Sequence, residues 1–95
     1  MTPRQEKWYG SNWIRKSKRL AIYERDGNAC LYCGAEDRLS LDHFKPVQAG
    51  GSNHASNLFT SCLSCNSARG NMPVKTFCAS MEVYQGIINA RKRGL

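Results

Sequence analysis

The cysteines constrain this chain more than any other residue type, because four of the five form two identical Cys-x-x-Cys pairs. Cys30 and Cys33 make the first pair, and Cys62 and Cys65 make the second. Two intervening residues allow both sulfur atoms of a pair to turn toward one point, and Gly34 suits the tight turn that follows the first pair. Two such turns present four thiolates, the ligand set of a closed tetrahedral metal site. The spacing therefore predicts a structural Zn²⁺.

Disulfide bonds and a tetrahedral iron site are the alternatives to zinc that the cysteine spacing leaves open. No apolar run is long enough to span a membrane, and residues 1–7 contain no apolar signal core. These features predict a cytoplasmic protein, in which thiols stay reduced, and so they favour the metal. The fifth cysteine, Cys78, lies among apolar residues and is predicted to pack in the core. A metal with four cysteine ligands has no open position, so it would stabilise the fold without taking part in catalysis.

The charge of the chain points to a polyanionic partner. Fourteen Lys and Arg residues face seven Asp and Glu residues, which gives a formal net charge of +7 over 95 residues. Such a balance argues against an acidic electron carrier, so rubredoxin-like electron transfer is a poor match. A chain of this length forms one domain and buries only about 60–65% of the surface that its unfolded form exposes. A metal staple would therefore add stability that a thin apolar core does not supply.

The predicted single domain, 1–95, consists of three segments: residues 1–27, 28–72 and 73–95. Residues 1–27 form a basic N-terminal segment, in which the absence of Pro and Gly from Ser11 to Asp26 predicts a helix from about residue 12 to residue 25. Residues 28–72 contain both cysteine pairs and many turn residues.

Two further elements are predicted from hydrophobic periodicity. Residues 39–44 alternate with a period of two, which predicts a short strand. Residues 73–95 are predicted to form a C-terminal helix, because Pro73 suits the first helical position and apolar residues follow at helical spacing. The apolar residues of this helix are Val74, Phe77, Cys78, Met81, Tyr84 and Ile88.

The segment between the cysteine pairs also carries residue types that suit phosphodiester hydrolysis. That reaction needs a base that deprotonates water and a hard cation that neutralises the developing charge. His43 suits the base, whereas Asp42 and Asn66 offer the carboxylate and amide oxygens that Mg²⁺ or Mn²⁺ prefers. On spacing alone these residues only suggest such a site, because an Asp-His pair in a strand is usually a surface feature.

The order of these elements resembles the HNH endonuclease family between residues 25 and 70. The matching residues are Arg25-Asp26-Gly27, Cys30-Leu31-Tyr32-Cys33-Gly34, Leu41-Asp42-His43-Phe44, Pro46, Gly50-Gly51, Asn57-Leu58, Cys62, Cys65-Asn66 and Arg69-Gly70. The resemblance implies an α+β fold with a ββα-metal core, in which an antiparallel hairpin with a long loop is followed by a short helix. One catalytic cation lies between hairpin and helix in this family, and the four-cysteine zinc site and the flanking helices complete the expected fold.

The resemblance also implies roles for single residues. His43 would be the general base, and Asn57 would orient the His43 ring through a hydrogen bond. Asp42 and Asn66 would be the protein ligands of a catalytic Mg²⁺ or Mn²⁺. Asn66 stands where the family name has a second histidine, so this chain is an H-N-N variant, and its amide oxygen favours a hard cation.

Nucleic-acid contacts are expected from basic residues on both sides of this motif. Arg69 lies one helical turn beyond Asn66 and would clamp a phosphate. The predicted N-terminal helix would contact further phosphates, which give affinity but little sequence information. Its candidate residues are Arg15, Lys16, Lys18 and Arg19.

These features together predict a metal-dependent deoxyribonuclease that acts on double-stranded DNA, with no membrane partner. Small proteins of this kind resemble phage or mobile-element products, which leaves a homodimer or a larger phage or restriction partner open. The alternative function is a non-catalytic, zinc-stapled nucleic-acid-binding module. The charge and the cysteines would serve that module equally well, and only convergence of Asp42, His43 and Asn66 on one cation would distinguish the two.

Overall fold

The computed structural model describes residues 14–94, which form a small α+β fold, as predicted. Two strands form an antiparallel hairpin and are surrounded by helices. In chain order the elements are α1 (Lys16–Arg25), β1 (Leu39–His43), β2 (Leu58–Cys62), α2 (Leu63–Arg69), α3 (Val74–Phe77) and α4 (Met81–Arg93). Two short 3₁₀ helices, Val47–Ala49 and Ala55–Asn57, lie in the interstrand loop. Residues 12 and 13 of the predicted N-terminal helix lie outside the described residues, whereas Ile14 and Arg15 are not helical and α1 begins at Lys16.

The hairpin is followed directly by a short helix, which confirms the expected ββα arrangement. Leu39 pairs with Cys62 at one end of the ladder, and His43 pairs with Leu58 at the other. Successive side chains of a strand point to opposite faces, so Asp42 and His43 project to opposite sides of the hairpin. Asp42 and His43 therefore contact different parts of the protein, although they are neighbours in the sequence.

Helices pack against both faces of the hairpin, which explains why all of β2 and four of the five residues of β1 are buried. On the face toward α1, Ile22 and Tyr23 pack with Leu41 and Leu58. On the opposite face, toward α3 and α4, the fully buried Phe59 leads a second cluster that includes Val74 and Ile87. Two small apolar cores thus hold the hairpin between the helices.

The interstrand loop makes a close turn at a glycine pair. Gly50 has φ = +93°, which favours glycine, and the Gly51 N–H donates to the carbonyl oxygen of Pro46 at 2.9 Å. A Cβ atom at Gly51 would lie 1.8 Å from the carbonyl oxygen of Lys45, so no other residue type fits without moving the backbone. The loop therefore folds back on the end of β1, where His43 lies.

The prediction of one continuous helix over residues 73–95 is wrong. The first helical turn, α3, ends at Phe77, and Cys78 has extended backbone angles. A new helix, α4, begins at Met81, because the Ser80 hydroxyl accepts a hydrogen bond from the Val83 N–H and caps it. The interruption changes the helix phase.

The changed phase also changes the buried face of the C-terminal segment. Met81, which the predicted apolar face included, is 61% exposed, whereas Ile87 is fully buried. Cys78 packs against the second core, as predicted. In the described part of the chain, no helix has the length and apolar character needed to cross a membrane.

Candidate functional site

The four cysteines of the two pairs come together at one point of the fold. Their sulfur atoms all lie within 4.8 Å of one another, and Cys33 Sγ is 3.8 Å from Cys62 Sγ. A regular tetrahedron with Zn–S bonds of about 2.3 Å has sulfur–sulfur edges of about 3.8 Å. The cluster therefore fits a metal ion such as zinc, as the spacing predicts.

Local backbone structure presents these thiols. The Gly34 N–H donates to the Cys30 carbonyl oxygen at 2.8 Å and closes the first turn, while the Cys65 N–H donates to Cys62 Sγ at 3.4 Å where β2 passes into α2. Burial raises the pKa of the Cys30 and Cys65 thiols. A bound cation would supply the charge that stabilises these thiolates, so metal binding and folding are coupled.

Asp42 lies on the face of the hairpin that α2 covers, and its main partner is Arg69. Arg69 Nη1 donates to Asp42 Oδ1 at 2.6 Å, and both residues are buried. The Tyr32 hydroxyl donates to Asp42 Oδ2 at 3.3 Å. Burial raises the pKa of the Asp42 carboxyl, and the Arg69 guanidinium counteracts that rise. Burial and the neighbouring carboxylate also raise the pKa of Tyr32, which therefore stays protonated as a donor.

Arg69, the predicted phosphate clamp, has protein partners for most of its side chain. Besides Asp42, it binds two backbone carbonyl oxygens, that of His43 at 3.1 Å through Nη1 and that of Met72 at 2.7 Å through Nε. Only 5% of the residue is exposed. The structure thus places Arg69 between the end of β1 and the end of α2, rather than on an open surface.

Asn66 lies one helical turn before Arg69 in α2, and its side chain contacts the two residues of β1 that precede Asp42. Its Nδ2 donates to Ser40 Oγ and to the Leu41 carbonyl oxygen, both at 3.1 Å. Asn66 and Asp42 therefore lie along the same contact between α2 and β1. A carboxylate offers about four lone-pair positions, of which Arg69, Tyr32 and the His43 backbone N–H take three in Asp42. Carboxylate and amide oxygens are the ligand types that Mg²⁺ or Mn²⁺ prefers, so Asp42 and Asn66 are the candidates to hold such a cation.

His43 projects to the opposite face, where its ring partner is a residue that the sequence analysis did not identify. His43 Nε2 lies 2.8 Å from Asn53 Oδ1. Asn57, which was expected to bind this ring, instead bridges the loop backbone: its Oδ1 accepts from the Lys45 N–H at 2.8 Å. Its Nδ2 donates to the carbonyl oxygens of Lys45 at 3.0 Å and Ser52 at 2.8 Å. Asn57 shapes the loop that carries Asn53.

Helix α1 supports this loop through basic side chains. Lys18 Nζ donates to the Asn53 carbonyl oxygen. Arg25 donates to the carbonyl oxygens of Ala55 at 2.9 Å and Leu58 at 2.7 Å, and it pairs with Asp26 at 2.7 Å. Of the four predicted phosphate contacts in α1 and at its start, Arg15 and Lys16 are exposed, whereas Lys18 and Arg19 are half-buried.

Known proteins match the part of the chain that carries these residues. Residues 30–72 match the family model of the HNH endonucleases. The match confirms the resemblance and supports a function of the nuclease type.

One relative in sequence and one solved structure, both Cas9 of Actinomyces naeslundii, are similar to this chain. CRISPR-associated endonuclease Cas9 of Actinomyces naeslundii is 41% identical over 59 residues, covering 58% of this chain and 5% of that protein. The chain thus spans about one-twentieth of that relative's length. The crystal structure of the type II-C Cas9 enzyme from Actinomyces naeslundii has the same fold, with a TM-score of 0.57 and 24% identity over 96% of this chain and 13% of that one.

Proposed function

We propose that this protein is a metal-dependent endonuclease that hydrolyses DNA phosphodiester bonds. The observation that carries the proposal is that Asp42 and His43 are neighbours at the end of β1, where α2 contacts the Asp42 side chain and the interstrand loop contacts the His43 side chain on the other face. The net charge of +7 supports a polyanionic substrate, and the endonuclease relative supports the reaction class.

His43 would act as the general base. When Nε2 carries the ring proton, it donates to Asn53 Oδ1, and this tautomer places the basic lone pair on Nδ1. The ring would take a proton from the attacking water, whose oxygen forms a bond to phosphorus while the bond from phosphorus to the 3′ oxygen breaks. The products would carry 5′-phosphate and 3′-hydroxyl ends.

Asp42 and Asn66 would hold the divalent cation. When bound there, Mg²⁺ or Mn²⁺ supplies positive charge that stabilises the phosphate and the departing oxygen. Arg69 and Tyr32 would keep the Asp42 carboxylate ionised and oriented through the contacts they already make. The three hydrogen bonds of Arg69 favour this positioning role, and its contact with a phosphate stays a prediction.

Helix α1 would contribute both to DNA affinity and to the orientation of the base. Arg15 and Lys16 are exposed and suit phosphate contacts. Lys18 on the same helix binds the backbone of Asn53, the residue that contacts the His43 ring. A phosphate bound near Arg15 and Lys16 would therefore contact α1, the helix that supports the interstrand loop beside His43.

Cleavage of supercoiled plasmid by the zinc-loaded protein tests this proposal. We expect nicked or linear product with Mg²⁺ or Mn²⁺ and none with EDTA. DNA ligase should reseal the nicks, because it requires 5′-phosphate and 3′-hydroxyl ends. If the protein binds the plasmid but no metal supports cleavage, the endonuclease proposal fails and the nucleic-acid-binding module replaces it.

A further inference from the structure

A basic groove lies next to the proposed active site, on the side away from α1. It has a volume of about 730 Å³ and lies between the interstrand loop, the end of α2 and the helices α3 and α4. Its charged and aromatic lining consists of Phe44, Lys45, Arg69, Lys75, Tyr84 and Arg91. Among residues 14–94, no acidic side chain lines it. The electrostatic potential of this groove therefore favours an anion.

Three of the four cations in the groove have charges that no carboxylate balances. Arg69 is neutralised by Asp42, but Lys45, Lys75 and Arg91 form no salt bridge within the described part of the chain. Lys45 and Lys75 are exposed. Positive charge that is both exposed and unneutralised is the feature that attracts the phosphates of a nucleic acid.

Arg91 and Lys75 each lie near an aromatic ring. The guanidinium of Arg91 lies 3.8 Å from the centre of the Phe44 ring, and Arg91 Nε donates to the Ser56 carbonyl oxygen at 2.9 Å. Lys75 Nζ lies 5.9 Å from the centre of the Tyr84 ring. Such contacts hold a cationic side chain in place before a ligand binds. Ligand binding then costs less side-chain entropy than it would with a freely moving side chain.

The groove is continuous with the proposed active site. Arg69 lines the groove and also donates to Asp42 Oδ1 and to the His43 carbonyl oxygen. Lys45 follows His43 by two residues, so its side chain extends from the same end of β1. A strand whose scissile phosphate lies at His43 would reach this groove with its neighbouring phosphates.

We propose that this groove binds the phosphate backbone of the DNA strand next to the cleavage site, with Lys45, Lys75 and Arg91 as the contacting residues. The choice of DNA as the polyanion rests on the proposed function. The groove is separate from the exposed residues of α1, so the protein would contact DNA on two sides of the hairpin.

Salt-dependent DNA binding tests the groove directly. The full chain with zinc bound, and without added Mg²⁺ or Mn²⁺, is titrated against a fluorescent DNA duplex by anisotropy at several salt concentrations. The test variant is Lys45→Gln/Lys75→Gln, which keeps the backbone atoms of Lys45 that Asn57 binds. The control is Lys92→Gln, an exposed lysine of α4 that does not line the groove.

The proposal predicts that the slope of log Kd against log salt decreases by about 1.8 in the double variant, or about 0.9 for each lost phosphate contact. The control should keep a slope closer to that of the wild type. Equal slopes in the double variant and the control, or no DNA binding by the wild type, would overturn the proposal. Plasmid cleavage by the wild type, with an unchanged slope in the double variant, would support the endonuclease proposal and contradict the proposed role of the groove. A decreased slope in the double variant, with no plasmid cleavage by the wild type, would support the groove and contradict the endonuclease proposal.

Discussion

His43 Nε2 and Asn53 Oδ1 lie 2.8 Å apart, so a residue of the interstrand loop holds the ring of the proposed general base. Asn53 is held in turn by Lys18 of α1 through its carbonyl oxygen. The loop itself depends on Asn57, which binds the backbone of Lys45 and Ser52. The ring orientation of His43 therefore depends on contacts from both the loop and the first helix.

Replacing Asn53 should slow cleavage without unfolding the protein. In Asn53→Ala the His43 ring loses its acceptor, and we expect plasmid cleavage to fall about 10- to 100-fold, part of what a positioned base contributes. Asn53→Asp keeps an oxygen acceptor and should recover most of the rate. A wild-type rate in Asn53→Ala would show that the ring is held by other groups.

Replacing Asn57 should reduce stability. Its side chain is buried and satisfies the N–H and carbonyl groups of Lys45 and the carbonyl of Ser52. Asn57→Ala leaves these backbone groups unpaired, and we expect a loss of about 1–3 kcal/mol in the free energy of unfolding by urea. Unchanged stability together with lost cleavage would instead support the direct contact with His43 that the family resemblance implies.

Arg69 offers a test of its two candidate roles. Arg69→Ala leaves the buried carboxylate of Asp42 without its charged partner, and we expect the free energy of unfolding to fall by about 3–5 kcal/mol. Lys92→Ala, at an exposed position of α4, serves as the control and should change stability by less than about 0.5 kcal/mol. If Arg69 were a phosphate clamp alone, the variant would keep its stability and lose DNA affinity.

The five cysteines should separate into four metal ligands and one core residue. Cys62→Ser removes a sulfur from the cluster, and we expect loss of bound zinc and of the cooperative thermal unfolding transition. Cys78→Ser is the matched control, because Cys78 packs against the second core outside the cluster and should leave the zinc content of the purified protein unchanged. Equal zinc content in both variants would contradict the four-cysteine site.

The sequence predicted the parts of the fold that repeat a simple spacing. Two Cys-x-x-Cys pairs are sufficient to predict the metal cluster, because each places its ligands within one local turn. The alternation around Leu41 predicted β1, and the family resemblance supplied the order of hairpin and helix. The C-terminal break escaped prediction because Cys78, Ala79 and Ser80 are all compatible with a helix, and only the Ser80 cap reveals the new start.

The partners of the site residues depend on tertiary contacts that spacing does not encode. Asn53 and Asn57 are both amides in one loop, and the sequence alone does not show which of them contacts His43. The pairing of Arg69 with Asp42 joins α2 to β1 across residues far apart in the chain. The sequence contains one indication of the role of Asn53. It is a polar residue close to Gly51, which folds the loop back toward β1.

The most direct test of the account is the rate of plasmid cleavage by His43→Ala with Mg²⁺ or Mn²⁺, at matched zinc content and matched DNA affinity. If His43 is the base, the variant should lose at least about 100-fold in rate, and imidazole added to the buffer should restore part of it. Cleavage by His43→Ala at the wild-type rate would contradict the assignment of His43 as the general base.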